Sequence, residues 1–504
     1  MELTLDQRHV IILGLGDSGL AMARWCARQG AQVTVIDDRE APPQLAALRA
    51  DVPQATLVCG AFEAAHLEGH AVHAVFKSPG LSPQKVESIW QAAQAMGLWC
   101  GTELSLFSQA LDVLGTERGY APHVIAVTGT NGKTTVTSLT AALLERAGLD
   151  VAVAGNIGPT LLDTLSQRLS QVLPQAWVLE LSSFQLNDVE GFKPTAATLL
   201  NLTQDHLDWH GDMTAYGAAK ARIWGPQTLR VLRRDDPAVA AWIPPAPGVH
   251  ARRPEAAQEV PAVVTLGADL PQRPGDYGLE EVNGMVWLVR ALPADETLKR
   301  KKGEVEEIFL QRLMPADALR IRGRHNALNA LAALALAAST GQALAPMLYG
   351  LREYGGEPHR VESVAIIQDV EYFDDSKGTN VGATVAAIEG LGAERRLWVI
   401  LGGDGKGQDF SPLAGPVARH VRGVALIGRD APQLAQALAD AGVLLHDCTD
   451  LPAAVRWCRQ QAQPGDAVLL SPACASFDMF RSYSHRAEVY VQAVRDIAVE
   501  EGVA

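Results

Sequence analysis

The sequence predicts an α/β fold with mostly parallel sheets, divided into three domains. Short apolar runs recur along the chain, and each is followed by a glycine-rich or polar turn and then by helical spacing of apolar residues. Runs that alternate with helices in this way indicate βαβ units whose strands are buried on both faces. The length of 504 residues also corresponds to about three domains of roughly 150 residues. The runs are Val10–Leu13, Val124–Val127, Val151–Ala154, Trp177–Leu179, Ala197–Leu200, Leu397–Leu401, Val424–Ile427 and Ala467–Leu470.

The composition excludes several classes of partner. The chain has 43 Lys and Arg against 57 Asp and Glu, a formal charge of −14, so phosphodiester backbones and anionic lipid are repelled. The longest apolar stretch, Ala330–Ala338, is far shorter than the ~20 residues of a membrane helix. Residues 1–6 lack a secretory apolar core, and the six cysteines are scattered without a CxxC pair, which favours reduced thiols. We expect a cytoplasmic monomer that binds neither nucleic acid nor membranes.

Changes of composition predict the domain limits. Three blocks cover residues 1–112, 113–356 and 357–504. Thr116–Pro122 is typical of a linker, and Tyr354-Gly355-Gly356 precedes the third block. Asn283-Gly284 in the second block predicts a tight hairpin turn.

A phosphate-binding loop opens the second block. The strand Val124–Val127 runs into Thr128–Thr135, which is followed by helical spacing. Glycines let backbone N–H groups face a polyphosphate, and the helix N-terminus adds positive potential. Lys133 can reach the β- and γ-phosphates, and Thr134 can ligate Mg²⁺. Counted from Gly129, the loop is shorter than the general GxxxxGK[ST] form. We assign ATP binding to Gly129, Thr130, Asn131, Gly132, Lys133, Thr134 and Thr135.

Carboxylates and histidines follow neighbouring strands. Glu180 ends an apolar strand, where it can hold Mg²⁺ directly or through water; the alternative is an exposed charge at the sheet edge. Another strand is followed by His206 and His210. Either histidine can be a metal ligand oriented by Asp205 or Asp208, although each, taken alone, is more often structural.

Lys220 lies on the buried stripe of a helix, with Tyr216, Ala219 and Ile223. Withdrawal from water lowers the pKa of a lysine. A neutral amine there can react with CO₂ to give a carbamate, an anionic ligand for Mg²⁺. The alternative is a side chain whose stem covers the apolar face while its ammonium reaches water, and the spacing alone favours this alternative.

A second glycine-rich turn lies near the start of the chain. Val10–Leu13 is followed by Gly14-x-Gly16-x-x-Gly19, and Asp37 comes 23 residues after Gly14, close to the spacing of a dinucleotide fingerprint. The same backbone geometry serves any diphosphate at a helix N-terminus, so the motif alone is weak evidence for NAD.

Together these segments resemble the Mur ligase family, ATP-dependent amide-forming enzymes of peptidoglycan precursor synthesis, over nearly the whole chain. The resemblance implies a Rossmann-like N-terminal domain, a central P-loop ATPase-type domain and a Rossmann-like C-terminal domain. Three segments point to the member that adds D-glutamate to UDP-N-acetylmuramoyl-L-alanine: Asp375–Asn380, Gly402–Lys406 and Ser471–Ser476. The Asp-Asn-Pro-Arg segment of the diaminopimelate- or lysine-adding member is absent from the sequence.

The resemblance also implies roles for individual residues. Thr134 and Glu180 would hold one Mg²⁺, and His206 with a carbamylated Lys220 would hold a second; Lys133, Glu180, His206 and Lys220 would be catalytic. Further ATP contacts would be Asn326, Arg360 and Asp375, the last favoured over Asp374. The UDP-substrate would contact Leu15, Asp17, Ser18, Asp37, Ser78, Pro79, Gly80, Asn156 and Ser182, with Asp38 and Arg39 as alternatives to Asp37. D-Glutamate would contact Lys377, Thr379, Lys406, Ser476, Phe477 and Tyr483, the last where the family commonly has Phe. The stretch 295–311 is longer than the family pattern.

The implied reaction activates a carboxylate. The L-alanyl carboxylate attacks the γ-phosphate of ATP, which releases ADP and gives an acyl phosphate. The amine of D-glutamate then attacks the acyl phosphate, and phosphate leaves. Three other hypotheses compete: an NAD(P) oxidoreductase, a non-catalytic ATP-switched module, and another Mur or folylpolyglutamate-type ligase.

Overall fold

The computed structural model describes residues 5–69, 71–243, 262–294 and 307–503. Within these ranges the strands form three sheets in chain order, with five, nine and six strands. We call the units built around them the first, central and third domains. Most neighbouring strands are parallel, so the predicted α/β fold is confirmed.

The first sheet is wholly parallel and places two loops side by side. Its elements are β1 (His9–Leu13), α1 (Asp17–Arg28), β2 (Gln32–Asp37), α2 (Leu45–Asp51), β3 (Thr56–Cys59), β4 (Val72–Lys77), α3 (Pro83–Ala95), β5 (Trp99–Gly101) and α4 (Glu103–Arg118). The strand order is β3-β2-β1-β4-β5. The order reverses between β1 and β4, which is where open α/β sheets bind ligands. The Ser78 hydroxyl donates to the Gly14 carbonyl at 2.9 Å, so the loops after β1 and β4 are in contact.

The central sheet carries the phosphate-binding loop near its middle. Its elements are β6 (His123–Thr128), α5 (Lys133–Arg146), β7 (Val151–Gly155), α6 (Leu161–Leu169), β8 (Ala176–Glu180), α7 (Ser183–Leu186), β9 (Ala196–Leu199), α8 (Leu207–His210), α9 (Met213–Ala221), β10 (Leu229–Arg233), α10 (Pro237–Ala240), β11 (Val263–Leu266), β12 (Tyr277–Val282), β13 (Met285–Pro293), β14 (Ile308–Pro315), α11 (Arg324–Ala338) and α12 (Leu344–Glu353). The order is β14-β13-β12-β11-β10-β9-β6-β8-β7, so β6 lies between β8 and β9. The Asn283-Gly284 turn joins antiparallel β12 and β13 as predicted, with Val282 paired to Met285.

The third sheet has one antiparallel edge strand. Its elements are β15 (Glu362–Ile367), β16 (Val370–Asp374), α13 (Val381–Gly392), β17 (Leu397–Gly402), α14 (Ala414–His420), β18 (Val421–Ile427), α15 (Ala431–Ala437), β19 (Leu444–Asp447), α16 (Leu451–Gln461), β20 (Ala467–Leu470) and α17 (Tyr483–Glu500). The order is β15-β16-β20-β17-β18-β19, and only β15 runs against its neighbour. The parallel strands β16, β20 and β17 are adjacent, so the loops that follow them meet at one edge.

One sequence expectation about the linker is wrong. Helix α4 continues through residue 112 to Arg118 and ends at Gly119, whose φ is 66°. The first three residues of the expected linker 116–122 are therefore helical, because the buried face of α4, which includes Ala110 and Leu114, packs against α1 and α6. The domain limits themselves stay predictions.

Some expectations fall beyond the described ranges. Residues 295–306 of the long stretch 295–311 lie outside them, and residues 308–311 belong to β14. No helix of the described residues is long and apolar enough to cross a membrane.

The first and central domains share one apolar core. The cluster that contains Trp25 and Phe107 of the first domain also contains Trp177 and Leu179 of the central sheet. The rings of Phe107 and Trp177 meet edge to face, with 5.1 Å between their centroids. Burial of this shared surface joins the two domains, whereas the core clusters of the third domain contain only its own residues.

We expect Gly155→Ala to destabilise the protein more than Gly148→Ala. Both glycines have positive φ, 117° and 94°, so each alanine brings backbone strain of about 1–3 kcal/mol. A Cβ at Gly155 would also lie 2.2 Å from the Glu180 carbonyl oxygen, whereas a Cβ at Gly148 meets nothing within 4 Å. Urea denaturation measures the difference in the free energy of unfolding, and equal losses would contradict this close approach of β7 to β8.

Candidate active site

The phosphate-binding loop is fastened to the end of the neighbouring strand β9. Asn201 follows β9 and forms two hydrogen bonds with the backbone of Asn131: its Oδ1 accepts from N at 2.8 Å, and its Nδ2 donates to O at 3.0 Å. The Asn201 carbonyl accepts from Thr130 N at 3.0 Å. Gly129 and Gly132 have φ of 150° and 83°, which L side chains rarely adopt. These hydrogen bonds and glycine conformations therefore fix the shape of the loop without a ligand.

Lys133 is folded back onto this loop. Its Nζ donates to the carbonyls of Gly129 and Thr130 at 2.9 and 2.8 Å. Burial lowers the pKa of this amine, and Arg360 acts in the same direction against the opposing charge of Glu180. The ammonium lies where a phosphate at the helix N-terminus can take over its bonds.

Glu180 is a buried carboxylate with one free oxygen. Its side chain is 1% exposed, which rules out the exposed edge charge considered above. Oε1 accepts from Asn156 Nδ2 at 2.7 Å, and Oε2 is buried without a hydrogen-bond partner. An unpaired buried carboxylate oxygen is costly, and it is the type of ligand that a hard cation prefers.

Lys220 is buried beside the same loop rather than reaching water. It is 2% exposed, and its Nζ donates to the Gly129 carbonyl at 2.8 Å. The Nζ also lies 4.7 Å from the ring centroid of Tyr216. Burial lowers the pKa of Lys220 well below its usual value, and the positive charge of Lys133 lowers it further. Both effects shift the equilibrium of Lys220 towards the neutral amine.

The two histidines differ in their partners. His210 shares a 2.9 Å hydrogen bond with the Ser183 hydroxyl, and burial lowers its pKa to about 4. The Nε2 of His206 lies 3.5 Å from Asp205 Oδ2, and burial lowers the pKa of His206 as well. Both rings pack against Phe184. The partners leave His206 the more available of the two for a ligand.

One of the first-domain candidates, Asp37, is paired with Arg39 and with a backbone N–H. Asp37 accepts from Leu15 N at 2.7 Å and binds the Arg39 guanidinium through both oxygens, at 2.8 and 2.7 Å. Burial raises the pKa of Asp37, but the bonds from Arg39 and Leu15 outweigh burial and bring it to about 2. Asp38 instead pairs with Lys85 at 2.6 Å. Asp37 therefore holds Arg39 at the edge of the sheet.

The remaining first-domain candidates lie around two loops, the glycine-rich loop after β1 and the Ser78-Pro79-Gly80 loop after β4. Asp17 and Ser18 begin α1, and Asp17 accepts from Gln44 at 2.7 Å. The Ser18 hydroxyl binds the side chain of Glu103, a buried residue at the start of α4. Sequence reasoning assigns no role to Glu103. Burial raises the pKa of its carboxyl to about 7. Ser182 caps α7 in the central domain.

Polar contacts bring the third domain to the phosphate-binding loop. Arg360 Nη2 donates to Thr134 Oγ1 at 2.6 Å. The side-chain amides of Asn131 and Asn380 exchange two hydrogen bonds, at 3.2 and 3.0 Å. Sequence reasoning includes Asn380 in a motif but assigns it no role, although its position directly before α13, where its side chain accepts from Ala383 N at 2.9 Å, is a recognisable signal.

A cavity between the central and third domains collects the other nucleotide candidates. Asn326, Arg360 and Asp375 line it together with Gly132, Thr135 and Lys377. Asp375 accepts from the Ser471 hydroxyl at 2.7 Å, and burial raises its pKa to about 7. Asp374 instead pairs with His359 at 2.7 Å. Asp375 is the member of the pair that lines the cavity, and its contact with the nucleotide stays a prediction.

The D-glutamate candidates follow the central strands of the third sheet. Lys377 and Thr379 follow β16, Lys406 follows β17, and Ser476 and Phe477 follow β20. Lys377 Nζ lies 3.9 Å from the ring centroid of Tyr483. Lys406 lines a second cavity with Asp205, His206 and Asp208 of the central domain. Ser476 is buried, whereas Phe477 is 72% exposed.

These features define a three-domain enzyme of the ATP-dependent ligase class, with its phosphate-binding loop at the contact between two domains. Comparison with known proteins makes the assignment specific. Residues 8–99 match the Mur ligase MurD-like N-terminal domain, residues 127–252 the Mur ligase middle domain, and residues 359–474 the Mur ligase glutamate ligase domain. The chain belongs to the Mur ligase family, which catalyses ATP-dependent peptide ligation in peptidoglycan synthesis.

Individual relatives match over their full length. UDP-N-acetylmuramoylalanine--D-glutamate ligase of Albidiferax ferrireducens is 63% identical, over 99% of this chain and 98% of that protein. The protein of the same name from Burkholderia mallei is 57% identical, over 98% of each chain. The solved structure of MurF ligase from Thermotoga maritima in complex with ADP covers 99% of this chain and 100% of its own, at 16% identity and a TM-score of 0.57. That likeness concerns the fold alone.

We expect Asp375→Asn to change how stability depends on pH. Between about pH 4 and pH 7 the unfolded chain has released this proton while the folded chain keeps it, so the wild type loses at most about 1.4 kcal/mol of unfolding free energy per pH unit from this group. Asparagine removes this loss. The stability of the variant relative to wild type should therefore rise from about pH 5 to pH 7 and level off above. Urea denaturation across this range measures the difference, and parallel curves would contradict the raised pKa.

Proposed function

We propose that this protein joins D-glutamate to UDP-N-acetylmuramoyl-L-alanine, with ATP converted to ADP and phosphate through an acyl phosphate, and that it does so in the cytoplasm as a monomer. The observation that carries the proposal is the convergence of Lys133, Lys220 and Glu180 on one phosphate-binding loop that also contacts the third domain. The names of the relatives support this choice of substrates.

The loop and its cations position and neutralise the transferred phosphoryl group. Phosphoryl transfer requires little covalent help from the protein, so positioning and charge supply most of the rate. Lys133 exchanges its two carbonyl partners for phosphate oxygens. Arg360, already at Thr134, brings a second positive charge from the third domain when that domain is in contact.

The residues around Glu180 fit a divalent cation. When bound, Mg²⁺ would neutralise phosphate oxygens and draw the attacking carboxylate to the γ-phosphorus. Thr134 and the unpartnered oxygen of Glu180 would hold one ion. His206 and a carbamate on Lys220 would hold a second.

The burial of the Lys220 amine beside Lys133 supports the proposed carbamate. The Lys220 nitrogen forms a bond to the carbon of CO₂ and releases one proton to solvent, which leaves one negative charge on the carbamate. The ammonium of Lys133 stabilises that charge, whereas it destabilises a protonated Lys220. The modification therefore relieves a charge conflict and creates an oxygen ligand.

The third domain supplies the amino-acid site and excludes water. Lys377 and Lys406 can each meet one carboxylate of D-glutamate, and the further proposed contacts are Thr379, Ser476, Phe477 and Tyr483. Because an acyl phosphate hydrolyses readily, contact between the third and central domains protects it until the amine attacks. The first domain holds the UDP end through Leu15, Asp17, Ser18, Asp37 and Ser78-Pro79-Gly80, and Asn156 and Ser182 lie towards the reacting end.

We expect phosphate release to require UDP-N-acetylmuramoyl-L-alanine and D-glutamate together, and Lys133→Ala to lower it by at least about 10²-fold, because the phosphoryl charge is no longer neutralised. Lys193→Ala removes an exposed lysine and should leave the rate unchanged. With carboxyl-¹⁸O substrate, label should appear in the released phosphate. Release with another amino acid alone would assign a different ligase activity, and unlabelled phosphate would exclude the acyl phosphate.

We expect Lys220→Ala to be nearly inactive and to recover part of its activity with added formate or acetate, because a short carboxylate can replace the carbamate oxygens. The measurement is phosphate release across a series of carboxylate concentrations, with chloride as the salt control. Full activity without carboxylate would remove the carbamate from the mechanism.

A further inference from the structure

Lys77 is a buried lysine at the joint between the first and central domains. It ends β4, is 1% exposed, and directly precedes Ser78 of the substrate loop. A buried ammonium is costly unless it is paired. Its Nζ lies 2.6 Å from Asp188 Oδ2, and Asp188 follows α7 in the central domain. The pair therefore connects two domains at low exposure.

Aromatic rings extend this contact towards the reacting end. The Lys77 Nζ lies 6.0 Å from the ring centroid of Trp209 on α8, a residue whose indole N–H is buried without a partner. The Trp209 ring centroid is 5.0 Å from that of Phe184, which is 4.7 Å from that of His206. These side chains form a packed row that begins at Lys77 in the first domain and ends at His206, a candidate metal ligand.

Lys77 is also connected to the UDP-binding loops through the next residue in the chain. The next residue, Ser78, donates its N–H to the Leu13 carbonyl at 2.9 Å and its hydroxyl to the Gly14 carbonyl at 2.9 Å. A shift of Lys77 along β4 therefore moves both loops relative to α7 and α8.

We propose that Lys77 and Asp188 form an interdomain lock that sets the distance between the UDP-binding loops and the acyl-transfer site. Both are positioning residues, and the inference rests on the proposed function. One substrate molecule spans the two sites, so its two ends bind together only when their separation matches its length. A misplacement of about 1 Å at a reacting centre can cost 10²-fold in rate.

An experiment can distinguish an interdomain lock from an ion pair that only stabilises the fold. Removing one partner leaves a buried charge, which is destabilising, whereas an apolar pair of similar volume is often neutral for stability. An apolar pair lacks the directional 2.6 Å contact. The double variant Lys77→Met with Asp188→Leu therefore separates stability from positioning.

The experiment compares calorimetric binding of UDP and of UDP-N-acetylmuramoyl-L-alanine to the full-length wild type, Asp188→Asn and the double variant. We expect the affinity for the full substrate to fall by about 10-fold or more in both variants, while the affinity for UDP, which engages the first domain only, stays unchanged. The KM for UDP-N-acetylmuramoyl-L-alanine should rise in parallel, and the KM for ATP should not change.

The matched control is Asp163→Asn. It breaks the 3.0 Å pair between Arg24 of α1 and Asp163 of α6, which also joins the first and central domains but touches neither substrate loop nor α7. Unchanged binding in the double variant, an equal loss of UDP affinity, or an equal loss in Asp163→Asn would each overturn the lock. A wild type that fails to bind the full substrate would instead refute the proposed function.

Discussion

Two lysines donate to one carbonyl oxygen, and the chemistry of the site depends on this contact. Lys133 and Lys220 approach the Gly129 carbonyl to 2.9 and 2.8 Å, with Glu180 as the buried acid nearby. Two ammonium groups so close repel each other, and burial strengthens the repulsion. Loss of a proton from Lys220, or the arrival of anionic groups, relieves it. The site is therefore arranged for negative charge before any is bound.

The domains are joined by different physical forces. The first and central domains share a continuous apolar core that separates only at a large cost in exposed surface. The third domain meets the central one through hydrogen bonds of Arg360 and Asn380 at the loop and through contacts between α13 and α11, but within the described ranges its core clusters contain no residue of the central domain. The proposed UDP-substrate would therefore bind across two domains that share one core, whereas the proposed amino-acid site lies in a domain with a core of its own.

Local sequence patterns predicted the features that depend on neighbouring residues. The features that were missed depend on contacts between distant parts of the chain. The strands, the phosphate-binding loop and the Asn283-Gly284 hairpin depend on neighbouring residues, so they were readable from the sequence. The environment of Lys220 depends on strands far away in the chain, and spacing alone favoured a solvent-reaching side chain that the structure does not have. Lys77 and Asp188 were missed because their pairing arises only when β4 and the segment after α7 meet.

The amide pair between Asn131 and Asn380 affects how the contact between the central and third domains depends on ionic strength. Both groups are uncharged and exchange a donor and an acceptor with each other. Counterions do not screen such a bond as they screen an ion pair, and neither amide titrates. This contact should therefore hold equally in dilute buffer and in concentrated electrolyte.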